Sequence, residues 1–143
     1  MAVLTLTLAA GCGDDSESNT SPYCAQLESV EAPFIGLLNN EIGQEDFVAF
    51  KNSLPAVAAT APARLADDWE TFGDAIRAFS AAMAKAGLTM DDMREMGDGP
   101  MAGGTDMQTA MDAAAALGSA EVSTAQSAII ANALSSCDIN LNP

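Results

Sequence analysis

Histidine is absent from the 143 residues of this chain. That removes the usual general base near neutral pH, the commonest zinc ligand and every Ser-His or Cys-His dyad. Cations are scarce: five Lys+Arg stand against 20 Asp+Glu, a formal charge of −15. Such a surface repels phosphate backbones and offers no counterion release on nucleic acid, so no nucleic-acid role is expected. Aromatics make up only 5% of the chain although 49% is apolar. The balance is largely alanine, which favours closely approaching helices over a sandwich of branched and aromatic strands. The expected fold is all-α, and the length suits one domain around a single core.

Long hydrophobic runs are also missing, with one exception at the start. Ala2 to Ala10 is uncharged and mostly apolar. It is too short to cross about 30 Å of hydrocarbon as a helix, but has the length of a signal-peptide h-region. Small residues Ala9, Ala10 and Gly11 lead into Cys12, and the polar stretch GDDSESNTS follows.

Taken in that order, LTLAAGC resembles the lipobox of bacterial lipoproteins, with Leu8 one position further from the cysteine than in the commonest pattern. The resemblance implies that residues 1–11 are a signal peptide that is removed. It further implies that the Cys12 thiol receives a diacylglycerol and that Cys12 becomes the mature N-terminus, held at the extracytoplasmic face of the cell membrane. Several acyl chains on one residue anchor stably where one binds only marginally. The first basic residue is Lys51, so the basic n-region of such a signal is missing and the expected start lies several codons upstream. Residues 12–21 read as a flexible polar tether reaching about 15–20 Å.

With Cys12 assigned to lipid, Cys24 and Cys137 remain as an even pair in an extracytoplasmic protein, which reads as a disulfide. Between them the apolar spacing is helical. Ser21-Pro22 suits a helix start, and Tyr23, Leu27, Val30, Phe34 and Leu37 follow at intervals of four and three. Phe47, Phe50, Leu54 and Val57 mark a second helix, which Pro55 is expected to kink or restart. Pro62 suits the first turn of a third, along which Leu65, Trp69, Phe72, Ile76, Phe79 and Met83 form the strongest stripe in the chain, ended by Gly87.

Thr89 with Asp92 has the pattern of a capping box on a short helix, and GDGPMAGG (97–104) reads as loop. Thr105 with Gln108 suits the start of a further helix. Gly118-Ser119 interrupts it before a last segment bearing Val122, Ala125, Ile129, Ala133 and Cys137, and DINLNP follows as an extended tail. Counting 105–136 as one broken rod, residues 22–143 form an up-down bundle of four major helices. An even number places both chain ends at the same end, where a Cys24–Cys137 bridge must lie.

The lipobox, acidic tether, Tyr-Cys opening, Ala-Pro before Asp-Asp-Trp, and terminal Cys-Asp-Ile together resemble small secreted or lipid-anchored helical proteins of actinobacteria. That resemblance implies fold and address and no biochemical role.

Two sets of side chains invite a chemical reading. Asp67, Asp68 and Asp74, with Asp91, Asp92 and Glu95, are the acidic clusters; they lack EF-hand order and read as solvated surface, with weak calcium binding as the alternative. Seven of the eight methionines lie between Met83 and Met111, and thioethers are soft ligands suited to Cu(I) in an oxidising compartment. Met90, Met93, Met96 and Met101 are the candidate ligands, against a plain role as adaptable core residues. The expected function is non-enzymatic and cofactor-free: a membrane-anchored bundle that binds an envelope protein or a small apolar ligand. Cu(I) or Ag(I) buffering by the methionine segment is the alternative.

Overall fold

The computed structural model describes residues 21–96 and 105–143, so Cys12, Met101, the leading run, the tether and the 97–104 stretch lie outside the described residues. Six α-helices and no strand occur among the described residues: α1 (Pro22–Leu38), α2 (Gln44–Thr60), α3 (Ala66–Ala86), α4 (Met90–Met96), α5 (Thr105–Leu117) and α6 (Ala120–Cys137).

Local signals account for most boundaries. Ser21 caps α1 by accepting from the Cys24 N–H at 3.1 Å, with Pro22 behind it where a missing N–H costs nothing. Asn40 turns the chain out of α1 with a left-handed φ of 56°, and the Gly36 carbonyl accepts from both the Glu41 and Ile42 N–H groups. Gly87 ends α3 at φ 69°, a conformation glycine adopts without steric cost, and the Leu88 N–H closes on the Met83 carbonyl at 2.9 Å. Ser119 caps α6 through the Val122 N–H.

The structure departs from the sequence expectation at Pro55, where α2 does not restart. Pro33 and Pro55 lie inside continuous helices. Pro55 is exposed, so the carbonyl one turn earlier, which loses its helical donor, is left on the solvent side of α2. A short 3₁₀ turn, Ala63–Leu65, also intervenes between Pro62 and α3.

Named contacts fix the directions of the helices. Tyr23 at the start of α1 meets Trp69 at the start of α3, whereas Phe47 at the start of α2 meets Phe79 near the end of α3. Thus α1 and α3 run together and α2 runs against them. Lys85 at the end of α3 pairs with Asp106 at the start of α5 at 3.7 Å, and Cys137 at the end of α6 is bonded to Cys24. Helices α5 and α6 therefore return together along α3, and they touch each other little.

All seven aromatic side chains are buried, and all lie on α1, α2 and α3. Phe34 and Phe72 pack with ring centroids 5.3 Å apart, and Phe50 and Trp69 both meet Phe72 edge-on. Trp69 Nε1–H donates to the Tyr23 hydroxyl at 3.1 Å, giving the buried indole the partner it needs. The other wall of α3 is covered by α5 and α6, whose inward residues are mainly alanine and short branched side chains: Ala110, Val122, Ala125, Ile129 and Ala133. Small side chains let those helices approach α3 closely. The tail after α6 is not idle: Ile139 and Leu141 alternate into the core.

The bridge between Cys24 and Cys137 has a Cα–Cα distance of 5.3 Å across a sequence separation of 113. Closing so long a loop stabilises the fold by about 4–5 kcal/mol in the chain-entropy model. A Cys24→Ser, Cys137→Ser double variant is expected to lose stability of that order in urea unfolding, and reduction of the wild type should reproduce the loss. Phe72→Ala, at a fully buried position, should cost about 3–5 kcal/mol. Met111→Ala, at a residue 45% exposed, should stay within about 0.5 kcal/mol of wild type.

Candidate functional site

At the bundle end away from the disulfide, α4 is clamped onto the start of α2. The Gln44 side-chain oxygen accepts from the Met90 N–H at 2.8 Å, and the Gln44 N–H donates to Asp91 Oδ2 at 3.4 Å. Each helix start is thus capped from the other. Arg94 adds a 2.7 Å bond to Asp91 and a 3.3 Å bond to the Glu41 carbonyl. Thr89 and Asp92 form the expected capping box: Asp92 N–H donates to Thr89 Oγ1, while the Thr89 N–H and hydroxyl both donate to Asp92 Oδ2. These donors, the hydroxyl foremost, hold the Asp92 carboxyl below its ordinary value of 3.8.

Three of the six acidic candidates are engaged in caps and ion pairs: Asp74 pairs with Arg77, Asp91 with Arg94, and Asp92 with Thr89. No group of three or more Asp, Glu, Cys or His that could hold a metal ion occurs among the described residues. The methionines are dispersed. Met90 is buried in the core and Met93 is half-buried against it, whereas Met107 is half-buried and Met111 exposed on α5. The Met96 side chain and Met101 lie outside the described residues.

A feature that the sequence did not reveal lies on the outer face between α2 and α3. There an open groove of about 450 Å³ is lined by Lys51, Asn52, Pro55, Arg77, Ser80, Ala81 and Ala84. It continues toward α4 as a hollow of about 210 Å³ bounded by Phe47, Val48, Met83, Ala84 and Leu88. In the other direction it passes Trp69, Glu70 and Gly73. Lys51 is half-buried, and its ammonium donates to Ser80 Oγ at 3.2 Å.

No known protein family matches this chain, and neither do curated proteins or solved structures. Functional reasoning therefore rests on its own residues. Of the sequence-selected site residues, the structure joins Cys24 to Cys137, and it places Met90 in the core with Met93 packed against that core. The groove was illegible because Lys51 and Arg77 are 26 positions apart and meet only through the register of α2 on α3. Its one local signal is that three of only five cations, Lys51, Arg77 and Lys85, lie on the facing helices α2 and α3.

Because the folded-state value of Asp92 is depressed, its stabilising effect is present above the ordinary carboxylate range and is lost as pH falls through the lowered value. Amide protection in α4, corrected for the intrinsic exchange rate at each pH, should accordingly fall at acid pH ahead of protection in α3. Asp92→Ala should remove that difference by loosening α4 at neutral pH as well, whereas unchanged α4 protection in the variant would contradict the capping account.

Proposed function

We propose that this protein is a non-enzymatic binding module, tethered by lipid on Cys12 to the outer face of the cytoplasmic membrane, that presents a helical bundle to a ligand in the cell envelope. The observation that carries the reading is the Cys24–Cys137 disulfide. Stable disulfides belong to oxidising compartments, and the chain has three cysteines, so the bridge leaves Cys12 as the one available for modification.

Two further features support it. No helix among the described residues is long and apolar enough to cross a membrane, so the Ala2–Ala10 run and Cys12 carry the proposed attachment. The first and last helices meet at the disulfide, so Ser21, where the proposed tether joins, lies at the pole opposite α4. The non-enzymatic reading follows from the missing histidine and from the use of Asp74, Asp91 and Asp92 in structural bonds.

Expression in a bacterial host fed an alkyne-bearing fatty acid tests the attachment. The wild type should take up label and partition with membranes, and Cys12→Ser should lose both. Equal labelling of wild type and variant would overturn the lipid anchor.

A further inference from the structure

The chain carries five cations against 20 acids, and most of the cations are neutralised locally. Arg77 pairs with Asp74, Lys85 with Asp106 and Arg94 with Asp91. Lys51 differs, since its ammonium is bonded to the neutral hydroxyl of Ser80 and lies half-buried in the α2–α3 groove. A half-buried ammonium is stabilised by a counter-charge, and here the groove beside it is open.

The surroundings select the kind of counter-charge. Next to Lys51 the groove offers the small apolar surfaces of Pro55, Ala81 and Ala84, with the Asn52 amide and the Ser80 hydroxyl as its neutral polar groups. Toward α4 the walls become Val48, Phe47, Met83 and Leu88, with Gln44 at the far end. In the opposite direction Glu70 borders the groove, which disfavours an anion there. From Lys51 to the Gln44 level α2 rises about 10 Å, which suits a medium-length alkyl chain. A large polyanion would meet the acidic remainder of the surface and be repelled. A small molecule confined to the groove meets mainly the Lys51 charge. The main hollow falls within the range of about 300–1,000 Å³ usual for small-ligand pockets.

We propose that the α2–α3 groove binds a single-chain amphiphile with an anionic carboxylate head. The head takes the Lys51 ammonium and the Ser80 hydroxyl, and the alkyl tail runs over Ala84 toward Val48 and Leu88. Arg77 stands at the rim in its pair with Asp74. The assignment deepens the binding-module reading by naming a ligand class, and it does not depend on the lipid on Cys12.

The test uses the full chain carrying Cys12→Ser, so that binding is read independently of lipidation. Calorimetric titration with decanoate below its micellar concentration should show saturable binding. Decanol, decyltrimethylammonium and acetate should each bind at least about tenfold weaker, which is about 1.4 kcal/mol. Lys51→Met should weaken decanoate about tenfold or more while Lys51→Arg largely retains it. Ala84→Glu, at an exposed position, should abolish binding, and all three variants should keep the wild-type thermal midpoint. In the unsubstituted groove, decanoate should shift amide resonances of residues 47–55 and 80–88. Equal affinity for decanol and decanoate, undiminished binding in Lys51→Met, or an absence of saturable binding would overturn the proposal. So would binding of an acidic helical peptide in place of decanoate. Loss of label in Cys12→Ser cells combined with no decanoate binding would sink the ligand and leave the anchor standing.

Discussion

Everything in the bundle leans on the apolar stripe of α3. Trp69, Phe72, Ile76, Phe79 and Met83 are all buried; α2, α5 and α6 pack directly on this helix, while α1 packs mainly on α2 and reaches α3 through Tyr23 and Phe34. On one wall the aromatic side chains of α1 and α2 interlock with Trp69, Phe72 and Phe79; on the other, α5 and α6 lie close because their inward residues are small. The scarcity of aromatics is thus not a shortage of core. The seven that exist are all spent on one wall, where edge-to-face pairs add to area burial.

Function in such a molecule has to be read from what the packing leaves over. The disulfide gathers the bundle's first and last helices at one pole, and the capping network of Gln44, Asp91 and Arg94 closes the other. Between the poles, α2 and α3 are joined through large aromatic side chains near their inner faces, which leaves an open channel along the outer one. A cation with a neutral partner in that channel stands out in a protein of charge −15 because nearly every other local field is negative.

Much of the fold was legible in the sequence, for reasons that can be named. The 4-3 spacing from Leu65 to Met83 is long enough to fix a helix and its buried face, and the Thr89/Asp92 box and Gly87 stop are strong local signals. Cysteine arithmetic gave the bridge because only one pairing remained once Cys12 was set aside. Pro55 misled because a proline's cost in a helix depends on whether the carbonyl one turn back can reach solvent, which composition does not encode. Ile139 and Leu141 have a two-residue alternation too short to separate a docked tail from a free one. The groove, set by the register of two helices, has no sequence signature.

The account's central claim is a division of labour among three cysteines, two holding the bundle and one holding the membrane. Peptide mapping by mass spectrometry, on protein extracted from cell membranes with and without reduction, tests it most directly. The account predicts a peptide pair joined through Cys24 and Cys137 that separates on reduction, together with an N-terminal peptide beginning at a diacylglyceryl-modified Cys12. Free thiols at Cys24 and Cys137, or a disulfide joining Cys12 to either of them, would contradict it.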